Sequence, residues 1–152
     1  MQIIRVKKRP VPIKNNTMSK LYEKIKSVEE FHDVFKIGNS EQLTLIDEKD
    51  YTLRYNLIKE ENEEYLDACK KGDMIEIADA LGDQLYILFG TILKHGLQHK
   101  IEEVYDEIHR SNMSKLDEMG LPILRDDGKI LKSSLYFKPE IRRVLGDLWY
   151  FS

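Results

Sequence analysis

Between Gly72 and Leu93 the chain carries no lysine or arginine, and after Ile75 its only clearly polar side chains there are Glu76, Asp79, Asp83, Gln84 and Thr91. A segment this apolar, at helical spacing, reads as a central helix buried nearly all round, because a solvated face would normally mix both charge signs. This one shows acids alone. Glu76, Asp79 and Asp83 stand three and four residues apart, which stacks them on one ridge. Like charges at that spacing repel by roughly 0.2–0.5 kcal/mol per pair, so a cation is needed to offset them.

The flanking sequence supplies the rest of a helical frame. Leu21, Ile25, Val28, Phe31, Val34 and Phe35 follow helical periodicity from Ser19, and Gly38-Asn39 is a stop. A second helix is expected from about Thr52 to Lys70, capped by Asp50 and ended by Lys71-Gly72. Asp73 caps the third, which runs to Lys94 or His95 before Gly96, and Ile101 to about Leu116 forms a fourth. Beyond Asp117 the pattern breaks around Gly120, Pro122 and Asp126-Asp127-Gly128, where two short arms predict a small hairpin. A last short helix follows, with Pro139 in its first turn. The expected fold class is all-α: a four-helix bundle core with a small C-terminal hairpin or loop region. Residues 1–17 read as an N-terminal appendage, with Ile3, Ile4 and Val6 as a short edge strand, and 18–152 as a single domain.

Charge and cysteine content narrow the function. The 24 basic and 27 acidic residues are spread along the whole length, so no basic face offers itself to a nucleic-acid backbone. The longest nearly apolar stretch, Tyr86 to Leu93, is far short of the roughly 20 residues that span a bilayer. Met1 to Lys20 lacks an apolar secretory region, and Cys69 is alone, so a reducing cytoplasm is the expected location and any metal must be held by oxygen or imidazole.

On the second helix Leu57, Ile58, Tyr65, Leu66, Ala68 and Cys69 share one broad stripe, with Glu61 inside it and Glu64 at its edge. An ionised carboxylate facing a core costs several kcal/mol unless something positive pairs with it. For this helix alone, a solvated Glu-rich surface remains an equal reading. Together with the acid-only third helix, the pattern suits Mg²⁺, which takes a few carboxylates, keeps several waters and accepts phosphates. A glycosidase would need an aromatic-lined sugar cleft, and a di-iron bundle needs Glu-x-x-His repeats on core helices. The chain has one Trp and no such repeat.

The segment Leu57-Ile-Lys-Glu-Glu-Asn-Glu-Glu-Tyr followed by Glu76-Ile-Ala-Asp-Ala-Leu-Gly-Asp-Gln-Leu-Tyr resembles the all-α nucleoside triphosphate pyrophosphohydrolase superfamily, which includes MazG-like enzymes, dimeric dUTPases and phosphoribosyl-ATP pyrophosphohydrolases. Glu61/Glu64 and Glu76/Asp79, with eleven residues between the pairs, match its E-x-x-E and E-x-x-D signature. His109-Arg-Ser-Asn-Met-Ser-Lys115, Asp126-Asp127-Gly128-Lys129 and Tyr136-x-x-Pro139 look like the phosphoribosyl-ATP pyrophosphohydrolase-like branch, and the likeness runs from about Val28 to Leu145.

The resemblance implies a homodimer that hydrolyses a nucleoside triphosphate to the monophosphate and pyrophosphate with Mg²⁺, or Mn²⁺ in its place. It implies Glu61, Glu64, Glu76 and Asp79 as metal ligands, with Asp83 or Glu60 completing the shell or orienting the attacking water. For the substrate, Arg110 is expected to clamp phosphate, with Lys115 and Lys129 as further cations, Asn112 as a reader of a base edge and Tyr86 as a contact. The rival from another class is a non-catalytic nucleotide- or metal-binding helical module, which has no evident need for five converging acids. A nucleic-acid-binding bundle would need a basic face on the second and third helices, and they have none.

Overall fold

Ser19 accepts a hydrogen bond from the backbone N–H of Tyr22 and so opens the first helix, α1 (Lys20–Val34). In the computed structural model, residues 19–146 are described; the expected appendage and its edge strand lie outside them. Four helices follow: α2 (Glu48–Lys71), α3 (Met74–Lys94), α4 (Ile101–Met113) and α5 (Ile141–Leu145). The described residues contain no strand.

α2 starts earlier than expected. Asp47, not Asp50, is the cap, its carboxylate accepting from the Asp50 N–H at 2.9 Å. Asp50 thereby falls in the first turn, where its own carboxylate meets Lys94 at 2.8 Å. At the other end Gly72 adopts the left-handed conformation (φ 69°), and Asp73 accepts from the N–H groups of Ile75 and Glu76, so α3 turns straight back along α2. Two cross-links set the register of this antiparallel pair: Arg54 Nε donates to Thr91 Oγ1, and Gln84 Nε2 donates to the Glu61 carbonyl.

The buried hydrophobic core lies between α1 and the C-terminal half of α3. Ile25, Val28, Ile92 and Leu93 form the core, flanked by Leu21, Phe89, Leu97 and Ile101. The connector between α1 and α2 folds over the end of α3, where Ser40 N donates to Leu93 O and Thr44 N to His95 O. Gly96 permits that approach: its φ is 68°, and a Cβ there would lie 1.9 Å from the Gln42 carbonyl oxygen.

Several expectations are corrected. Phe31, Val34 and Phe35 turn outward at the end of α1, and His32 takes the buried position between them. α3 is not buried all round, since Ile75, Leu81, Leu85, Tyr86 and Leu88 are exposed. α4 ends at Met113 rather than near Leu116, and Ser114 turns its hydroxyl back onto the Ser111 carbonyl. Among the described residues the expected hairpin amounts to one bridge, between Leu124 and Ile130. α5 begins just after Pro139, with Glu140 as its cap.

α4 packs mainly on α5 rather than on α2. Among the described residues no helix is long and apolar enough to cross a membrane.

Candidate functional site

Glu61 lies midway along α2, facing α3. It is half-buried, and its Oε2 is enclosed with no hydrogen-bond partner. Burial raises the Glu61 pKa, and the charges of Glu64, Asp83, Glu60 and Asp79 raise it further. Four of the acids singled out in the sequence therefore act on one carboxylate.

Glu76, a turn before Asp79, is not among the groups perturbing Glu61. Glu60, Glu64, Glu76, Asp79 and Asp83 are all exposed, so the seam lies open along the α2–α3 groove instead of buried within it. As the side chains stand, no three His, Cys, Asp or Glu groups among the described residues are close enough to hold a metal ion. Carboxylates on neighbouring turns repel and gain hydration by turning to solvent.

Beside Glu61 a pocket of about 280 Å³ opens between α1, α2 and α3. Glu61 and Asp83 stand on its acidic side, with Phe31 and Tyr86 among its walls and Leu57 and Ile87 among its apolar lining. Tyr86, which the sequence reading expected to contact substrate, stands in that wall. Arg54 and His32, which that reading gave no role, line the pocket as well. The Arg54 guanidinium is buried, donating from Nε to Thr91 Oγ1 at 3.0 Å and from Nη2 to the Ile87 carbonyl at 2.9 Å. Burial lowers its pKa, yet an arginine stays charged. Its spacing from Leu57, Ile58 and Glu61 is three, four and seven residues, the periodicity that would have placed it on the inner face.

His32 is fixed by a relay. Asn39 Nδ2 donates to Asp33 Oδ1 at 3.1 Å, and a carboxylate can only accept, so the Asn39 amide oxygen is the atom facing His32 at 2.7 Å. Nδ1 of His32 therefore carries the proton and Nε2 the lone pair. Burial lowers the His32 pKa, opposed by the Asn39 hydrogen bond and helped by the Arg54 charge, which keeps the ring neutral at neutral pH.

The expected phosphate-binding cations are elsewhere. Arg110 donates from Nε and Nη2 to Glu107, both at 2.9 Å, and its guanidinium sits 4.3 Å from the Phe137 ring centroid. Lys115 donates to Asn112 Oδ1 at 2.8 Å. None of Arg110, Asn112, Lys115 or Lys129 lines the pocket at Glu61. Glu107 itself was not anticipated. It is buried, accepts from the Glu140 N–H at 2.6 Å and lies 3.6 Å from Arg143, and the Arg110 hydrogen bonds hold its pKa down at about 2.

A family model described as phosphoribosyl-ATP pyrophosphohydrolase matches residues 28–112. The match runs from the middle of α1 almost to the end of α4, taking in every acid of the seam, the pocket, Arg110 and Asn112. No curated protein sequence matches the chain.

Proposed function

The chain belongs to the phosphoribosyl-ATP pyrophosphohydrolase family, within the MazG-like all-α pyrophosphohydrolase superfamily, and from that premise we propose that it hydrolyses a nucleoside triphosphate to the monophosphate and pyrophosphate with Mg²⁺. It is a hydrolase of phosphoric anhydride bonds. The observation that carries the finer reading is Glu61: an enclosed carboxylate oxygen with no partner, pressed by four other acids, is a ligand waiting for a cation.

An all-oxygen donor set fits a hard divalent ion, Mg²⁺ or Mn²⁺. Glu61, Glu64, Glu76, Asp79 and Asp83, all on α2 and α3, would hold it. Bound there, it would screen the developing phosphate charge and lower the pKa of a coordinated water. The carboxylates of Glu60 and Glu61 orient the attacking water and take its proton as its oxygen bonds the α-phosphorus and the bond to the bridging oxygen breaks, releasing pyrophosphate. Arg110, Asn112, Lys115 and Lys129 reach the phosphates only if α4 and the turn beyond it approach the seam, within one chain or from a second.

A second copy is the partner we assign to the open side of the molecule. Leu85, Leu88, Phe89, Val104, Tyr105 and Ile108 line an apolar groove of about 630 Å³ between α3 and α4, a continuous face that a lone chain leaves to water. The single cysteine, Cys69, fits a reducing compartment such as the cytoplasm.

The test is pyrophosphate release over a panel of nucleoside triphosphates with and without Mg²⁺. Activity with at least one of them, lost in folded Glu61→Ala and Asp79→Ala proteins, supports the proposal; full activity in both variants overturns it.

A further inference from the structure

The pocket beside Glu61 differs in character from the acidic groove it joins. Its volume, about 280 Å³, is at the small end for a ligand site, enough for a ring system but not for a whole nucleoside triphosphate. Leu57, Ile87 and Ile37 make much of its wall apolar. Phe31 and Tyr86 stand edge-to-face, ring centroids 5.5 Å apart at 83°, and they remain 36% and 40% exposed. Phe35, the C-cap of α1, braces Phe31 with ring centroids 4.4 Å apart. At the polar end, Glu61 and Asp83 would repel a phosphate chain that entered without cations. Arg54 has five N–H groups, of which Thr91 and Ile87 occupy two. Apolar walls, two aromatic rings, a donor-rich guanidinium and an acidic exit describe a receptor for a planar, uncharged heteroaromatic ring, not for an anion.

We propose that this pocket seats the nucleobase of the substrate, with Phe31 and Tyr86 clasping the ring, Arg54 donating to a ring acceptor, and the phosphate chain leaving past Glu61 and Asp83 into the α2–α3 groove. The assignment rests on the nucleotide reading above and adds the residues that hold the other end of the molecule. It makes Phe31 and Tyr86 base-binding residues, and it explains why they are left part-exposed while the α1–α3 core a turn away is closed. Aromatic stacking tolerates many bases, so the rings alone favour nucleosides as a class, and the Arg54 donor favours those with an acceptor on the ring edge.

The experiment pairs two probes on the full chain. Phosphate-free nucleosides (adenosine, cytidine, uridine and thymidine) are titrated in the absence of metal while the ring resonances of Phe31 and Tyr86 are followed by NMR. Mn²⁺ binding is measured separately, without nucleotide. At least one nucleoside should shift both rings, and its Kd should weaken about five-fold or more in Phe31→Leu, with a matching rise in the KM for the corresponding triphosphate and little change in kcat. Tyr86→Leu serves as the second variant, since both side chains are partly exposed and their truncation leaves the core intact. If no nucleoside binds, or binding leaves both rings unshifted, or neither variant alters Kd and KM, the assignment is overturned. Nucleoside binding without Mn²⁺ binding or pyrophosphate release would sink the catalytic reading and leave the base pocket standing; pyrophosphate release with inert Phe31 and Tyr86 would do the reverse.

Discussion

Arg54 of α2 lies flat against Gly90 of α3: a Cβ added to the glycine would stand 2.6 Å from Arg54 Nη2, and 2.7 Å from His32 Nε2 on the third helix of the cluster. Side chains from α1 and α2 thus meet over one stretch of bare α3 backbone, and the buried guanidinium finds its acceptors there, at Ile87 and Thr91. Neither neighbour moves freely, since Arg54 is tied to α3 and His32 to Asn39.

Gly90→Ala should therefore destabilise the protein even though alanine is the better helix former. The propensity gain is about 1 kcal/mol, while forcing a methyl into a filled space costs about 1–3 kcal/mol, and here it also strains two buried polar groups. A net loss of roughly 1 kcal/mol or more is expected in urea unfolding. A variant as stable as the wild type would show that Arg54 and His32 can step aside.

Glu61→Gln should separate stability from function. Burial and four neighbouring acids disfavour the ionised Glu61, so the neutral amide should leave the metal-free protein as stable as wild type or more so. Mg²⁺ or Mn²⁺ should raise the melting temperature of the wild type, and the same change should remove that rise together with pyrophosphate release. A metal-induced shift that survives the substitution would mean that Glu61 is no ligand.

Glu107 sets an acid limit on the C-terminal segment. Its folded pKa, about 2, lies below the ordinary value of 4.5, so its contribution is present above pH 4.5 and is lost as the pH falls toward 2. Wild type should lose stability across that window more steeply than Glu107→Gln, in thermal melts recorded between pH 5 and about pH 2. Parallel slopes would deny the carboxylate that role.

Leu88→Asp should produce monomers. Leu88 is half-exposed on the apolar groove between α3 and α4, where a charge would face the second copy without disturbing the α1–α3 core. Sedimentation velocity should show the wild type near twice the monomer mass and the variant near the monomer mass. A wild type that sediments as a monomer at micromolar concentration would refute the assigned partner.

Much of this molecule is written in local sequence. Ser19, Asp73, Gly72 and Gly96 act through their own backbone or the next turn, so caps and stops near them were readable without any tertiary information. The acid pairs Glu61/Glu64 and Glu76/Asp79 were readable for the same reason, because helical spacing alone puts each pair on one ridge. Asp47 beat Asp50 as a cap because Asp50 had a distant partner in Lys94, which no local rule contains.

Three features only the tertiary structure decided. The meeting of Arg54 and His32 over one stretch of α3 depends on the absence of a side chain at Gly90, a fact about a different helix in each case. Arg110 turned inward to Glu107 and Phe137 instead of outward to phosphate because the segment after Ser133 folds back along α4, with Phe137 and Glu140 bonded to Ser111 and Glu107. The acids stand open to solvent although α2 and α3 pack closely against each other, and no periodicity in a single helix reports what stands across the groove from it. Composition and spacing determine which face of a helix wants a partner; the partner's identity is a property of the packed chain.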